Sequence, residues 1–214
     1  MYVDRHIMTV DILNGKSYFW IMTKGLDSRE KTVRAAARQF RRQGYHGASL
    51  QDILKAAESP RGSLYFHFPG GKEEIAVAAL AFYAEAVRGM MASAAEASRS
   101  AEGFLTLIVR TFAADAEHGD YKEGCPIAAV ALDTMAQIET LAEATRKAFL
   151  TWELEIKRGL ERFGMRDEDV GSIATAVLSQ LEGALLLARS YRSPEPFRHA
   201  EIAMMHMVRG ALRP

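Results

Sequence analysis

The chain has 214 residues, with 27 basic and 27 acidic side chains, 49% hydrophobic residues and one cysteine. This balance excludes a disordered chain, which would be poor in apolar residues and strongly charged. A lone cysteine excludes an intrachain disulfide scaffold and fits a reducing compartment such as the cytoplasm. The longest apolar run, residues 75–84, is far short of the roughly 18 residues a membrane span needs, so neither a span nor export is expected.

Residues 1–24 read as a flexible leader: the first 22 show neither helical nor strand period, and Met22 is an alternative start. A first helix is expected over residues 28–43. Asp27 can cap it, with Glu30 closing a capping box, and Val33, Ala36, Ala37 and Phe40 recur at helical spacing. Gly44 suits the position after its end. A short helix over residues 50–57 starts at Ser49, with Asp52 in the box. A third starts at Pro60, after the cap residue Ser59, and ends near residues 66–68, before Pro69-Gly70-Gly71.

Long helices follow, over residues 72–98, 101–117, 138–163, 167–191 and 195–212, with a shorter one opened by Gly124-Cys125-Pro126 and ending near Met135. Nothing alternates with period two, so the fold class is all-α: an N-terminal three-helix helix-turn-helix domain (25–71) and a C-terminal helical domain (72–214).

Neutrality hides a segregation. Residues 23–72 carry ten basic and four acidic side chains, and the remainder beyond them is acidic. A compact basic block points to a polyanionic partner. Two short helices after a longer one place the last of them where a major groove could receive it. On that helix Leu64 and Phe68, four apart, can anchor it to its own domain. Arg61 can make a bidentate contact to guanine or phosphate, and Gly62 lets backbone approach a duplex. Ser63, Tyr65 and His67 can donate to phosphates or base edges. Lys72, at the next helix start, can pair with a phosphate.

The residues Ala36-Ala37, Phe40, Gly44-Tyr45, Ser49-Leu50, Ile53, Gly62-Ser63-Leu64-Tyr65, Phe68-Pro69 and Lys72-Glu73-Glu74-Ile75 together resemble the DNA-binding domain of the tetracycline-repressor (TetR/AcrR) family of transcriptional regulators. The segment from Pro60 to Lys72, with Gly124-Cys125-Pro126 and Glu182-Gly183-Ala184, is similar to the subgroup that includes repressors of lincomycin-resistance efflux genes. The chain departs from the family at Glu58, where a glycine is usual in the turn. The resemblance implies a homodimer on a palindromic double-stranded DNA operator, released when a small-molecule effector binds the C-terminal domain. It also brings Tyr45, Ser49 and Pro60 into the set of expected DNA contacts.

For the effector, Met90, Phe104, Ile108, Phe112, Met135, Trp152 and Leu181 are candidate apolar lining. Glu182 is a carboxylate inside an apolar helix, able to meet a ligand donor, a partner's arginine or water. Val177, Leu178, Gly183, Leu185, Met204, Met207 and Val208, on the apolar stripes of the last two helices, are candidates for a subunit interface built as a four-helix bundle. Cys125 reads as a packing residue or, at a helix start, as an activated thiol. No metal ligand set and no cofactor is expected. The sequence lacks G-x-S-x-G, H-E-x-x-H and dinucleotide motifs, so an enzyme is not expected. The competing reading is a helical dimer acting as an architectural or protein-interaction module without sequence-specific DNA binding.

Overall fold

A computed structural model describes residues 27–165 and 167–211; for residues 61, 63 and 167–169 it describes the backbone only. The leader expected at 1–24 lies outside the described residues. Described are α1 (Ser28–Gly47), α2 (Leu50–Ala57), α3 (Arg61–His67), α4 (Gly71–Ala97), α5 (Ala101–His118), α6 (Pro126–Thr134), α7 (Glu139–Arg162), α8 (Asp167–Tyr191) and α9 (Glu195–Ala211), and no strand is found among these residues.

Local chemistry accounts for most of the boundaries. Asp27 accepts from the Glu30 amide at the start of α1, Ser49 from the Asp52 amide at α2, and Ser100 from the Gly103 amide at α5. Helix α1 does not stop at Gly44 as expected. It breaks there (φ 70°, ψ −173°) and resumes to Gly47. Pro60 occupies the cap of α3 rather than its first helical position, and Ser59 does not cap it: its hydroxyl pairs with that of Ser28 at 3.1 Å.

The core runs through the whole described chain. In the first three helices it holds Val33, Ala36, Ala37, Phe40, Ile53, Leu54, Leu64 and Phe68. It continues through α4, where Tyr83, Val87 and Met91 are buried and which packs on α1, α5 and α7, and on into α8 and α9. Burying these side chains removes apolar surface at roughly 25 cal/mol per Å², which outweighs weak intrinsic helix propensity. By length and composition α4 and α8 would suffice to cross a membrane, although no run of 18 wholly apolar residues exists. Both instead pack within the bundle: α4 against α1 and α7, α8 against α7 and α9.

Helix α1 is tied to the C-terminal part by charge as well as packing. The Arg41 guanidinium is buried and pairs with Asp115 and with Glu123 (3.2 Å), and its Nε donates to the Gly124 carbonyl at 2.9 Å. The Gly124 amide donates back to the Arg41 carbonyl, also at 2.9 Å. Arg38 reaches Glu123 at 2.9 Å, and Arg189 of α8 donates to the Arg42 carbonyl. Arg41 is held firmly in its charged form, since Tyr83, Asp115 and Glu123 surround it and outweigh the burial that opposes it.

Candidate nucleic-acid interface

The face of the N-terminal unit is set by which side of α3 is anchored. Leu64 and Phe68 are buried, so α3 docks on α1 and presents its other side outward. Tyr65 stands 66% exposed and Phe66 83% exposed. A Cβ added at Gly62 would meet nothing within 4 Å, so the backbone there is open to close approach. Pro60 is exposed, and His67 is half-buried with its ring edge-on to Phe66 at 5.1 Å. The side chains of Arg61 and Ser63 lie outside the described part, though both residues belong to α3.

The flanking candidates are arranged differently. Ser49 is exposed, but its hydroxyl donates to Asp52 Oδ2 while accepting from the Asp52 amide, so it acts first as a helix cap. Tyr45 is buried, 5.9 Å from the Phe40 ring, and burial pushes its hydroxyl pKa up. Lys72, in the first turn of α4, lies over that ring, with Nζ 4.4 Å from the centroid. Tyr45 thus holds Lys72 instead of standing free beside it. Glu58, the departure in the turn, is exposed with φ 52° and ψ 35°, the left-handed conformation that glycine adopts without strain.

The C-terminal candidates divide. Met90, Phe104, Ile108, Phe112, Trp152 and Leu181 are all buried within one apolar interior. Trp152 donates its indole N–H to the Ala84 carbonyl at 2.9 Å and meets Tyr83 and Phe149 edge-on. Met135 is not part of that interior: it caps α6 and is 59% exposed, because the helix ends and turns it outward. The Glu182 carboxyl lies inward although the residue keeps some surface, and burial raises its pKa to about 7. Its partner is the Cys125 thiol, whose own pKa burial and that carboxylate push well above the ordinary value. Cys125 is therefore a protonated packing residue, not an activated nucleophile.

The interface candidates also divide. Val177, Leu178, Leu185, Met204 and Val208 are buried inside this chain's own core, where α8 and α9 pack on each other and on α5 and α7. An apolar stripe announces burial without saying against what. Gly183 and Met207 keep some surface. The large apolar side chains that α8 and α9 leave outside are Leu186, Leu187, Tyr191 and Ile202.

Sequence reasoning missed two residues at the junction of the parts. Arg41 was visible in principle, because it continues the four-residue spacing of Val33 and Ala37 on the buried stripe. Asp133, which accepts from the amides of Tyr45 (2.7 Å) and His46 (3.2 Å), had no local signal, since its partners are nearly ninety residues away.

Comparison with known proteins agrees with this geometry. Residues 33–79 match the family of bacterial regulatory proteins of the tetR family, and residues 101–202 match the C-terminal domain of LmrA/YxaF-like transcriptional regulators. The chain is 32% identical over 173 residues to the HTH-type transcriptional regulator LmrA of Bacillus subtilis, covering 81% of this chain and 92% of that protein. It is 31% identical to the uncharacterized HTH-type transcriptional regulator YxaF of the same species, over 82% of this chain and 92% of that one. Among solved structures, a TetR regulatory protein from Rhodobacter sphaeroides superimposes with a TM-score of 0.77 at 21% identity, over 84% of this chain and 98% of that one. A TetR transcriptional regulator from Chloroflexus aurantiacus gives 0.69 at 29% identity, over 88% and 96%. The outward α3 on a three-helix unit and the helical body behind it are thus those of a regulator and not an enzyme: the chain belongs to the TetR family of DNA-binding transcriptional regulators.

Proposed function

We propose that this regulator is a cytoplasmic homodimeric repressor, released from a palindromic operator by a small apolar or aromatic effector. The head, residues 25–71, reads DNA; residues 72–214 pair the subunits and receive the effector. The observation that carries this reading is the orientation of α3: its apolar anchors face in, while Tyr65, Gly62 and Pro60 face out, with the Lys72 ammonium near the start of the following helix. Arg61 and Ser63 belong to the same short helix and complete the reading set, with His67 at its end. The HTH-type transcriptional repressor DhaR of a Mycobacterium species, 22% identical over 78% of this chain, supports the repressor sense.

For the effector, the interior around Met90, Phe104, Ile108, Phe112, Trp152 and Leu181 supplies apolar contacts, and Glu182 supplies one polar group that would orient a hydrogen-bond donor. A ligand that prefers a different spacing of the two heads weakens DNA binding by the same coupling free energy, typically ~1–3 kcal/mol. For the dimer, Leu186, Leu187, Tyr191 and Ile202 are the apolar groups on α8 and α9 left for a second copy.

The test is binding to the DNA upstream of the protein's own gene, against unrelated competitor duplex. Arg61→Ala should weaken specific binding by ~1–3 kcal/mol, about 5- to 150-fold. Unchanged affinity would remove Arg61 from the reading set. Equal affinity of the wild type for the competitor would favour an architectural module instead.

A further inference from the structure

We propose that Asp133, at the end of α6 and outside the DNA-binding unit, is a positioning residue for phosphate binding by Lys72. The proposal rests on the reading of Lys72 as a phosphate contact. The break of α1 at Gly44 takes the amides of Tyr45 and His46 out of the helical ladder. Both donate to Asp133 Oδ2, at 2.7 and 3.2 Å, and the His46 imidazole Nε2 lies 3.2 Å from the Asp133 carbonyl oxygen. The carboxylate sits so close over Gly44 that a Cβ there would collide with it, and φ at Gly44 lies in the region that favours glycine. The turn and the carboxylate are therefore built for each other.

What the turn carries is Tyr45. Its backbone is held by Asp133, its ring rests near Phe40, and the Lys72 ammonium stands on that ring. The charge of Asp133 also favours the ammonium form of Lys72, against the burial that opposes it. A cation seated on an aromatic face reaches a phosphate from a fixed place rather than from a mobile stem. The three-helix unit does not hold this seat alone: the acceptor that fixes it comes from α6, nearly ninety residues away in sequence.

The experiment measures affinity against salt concentration, for a duplex that the wild-type protein has selected from a random pool. Each neutralised phosphate contributes about 0.9 to the logarithmic salt slope. Lys72→Ala removes one contact from each of the two heads and should lower the slope by about twice that amount. Asp133→Ala should lower it comparably, and the double variant should fall no further than Lys72→Ala alone. Asp133→Asn keeps an oxygen that accepts both amides and should retain the wild-type slope. Gly44→Ala forces carboxylate and turn apart while leaving Asp133 in place, so it should reproduce the loss and serves if Asp133→Ala does not fold. Thermal unfolding of each variant separates mere destabilisation. A folded Asp133→Ala or Gly44→Ala protein with lowered melting temperature and an unchanged slope overturns the proposal, as does an additive double variant. An unchanged slope for Lys72→Ala sinks the reading of Lys72 itself, and the proposal with it; failure of Asp133→Ala beside a normal Lys72→Ala loss sinks the positioning role alone.

Discussion

At the scale of a residue, Glu182 shows how burial changes chemistry. In water a glutamate ionises near pH 4.5; here desolvation lifts it to about 7, and the hydrogen bond from Cys125 offsets only part of that. The folded chain thus keeps a proton that the unfolded chain releases above pH 4.5. Stability from this group is fully present below 4.5, declines as pH rises through 7, and is flat beyond. Glu182→Gln stays neutral throughout and lacks that decline. Urea unfolding from pH 4.5 to 8 should show the wild type losing about 1–3 kcal/mol relative to Glu182→Gln across this window. Parallel curves would mean the carboxyl is solvated after all.

Among the elements, α5 and α7 approach closely where Phe104 meets Gly159. The tip of the Phe104 ring lies against Gly159, where a Cβ would overlap two ring carbons and press on a third, and the Phe163 ring is 6.5 Å from that of Phe104. Gly159→Ala should gain about 1 kcal/mol of helix propensity. It also overpacks a fully buried ring, at a cost of about 1–3 kcal/mol. The net expectation is destabilisation, read as a lower urea midpoint with unchanged slope. Adding Phe104→Leu to Gly159→Ala should recover part of it; a stabilised single variant would show that the two helices can separate at little cost.

For the whole molecule, the segregation of charge has two meanings. Of the basic side chains in the head, Arg38, Arg41 and Arg42 turn towards Glu123, and Arg41 also towards Asp115, so part of the basic block meets the acidic body of its own chain. Arg34 pairs with Glu30 of its own helix, while Lys55 on the exposed side of α2 and half-buried Lys72 are open to a polyanion. The same scale governs assembly. Leu186 is 67% exposed and Ile202 56% exposed, an apolar surface that a second copy would cover. Leu186→Glu combined with Ile202→Glu should sediment as a monomer at micromolar concentration and lose operator binding, because a palindrome needs two heads. A dimer that survives both changes would place the interface elsewhere.

Much of this protein could be read along the chain. Helices, caps and the inward stripe of each helix are local or periodic properties. Asp27, Ser49 and Ser100 cap helix starts through partners three residues on, and Leu64 and Phe68 on one side of α3 already turn Tyr65 outward. Where side chains meet across long separations, the sequence carried no such signal. It marked Val177 and Met204 as apolar without distinguishing a partner from the chain's own core, and it showed a charge at Arg41 without the acids that neutralise it. Nor did it connect Asp133 to the turn at Gly44. Periodicity records that a face leaves water; only the packed fold decides what replaces the water, because that partner is chosen by geometry between helices far apart along the chain.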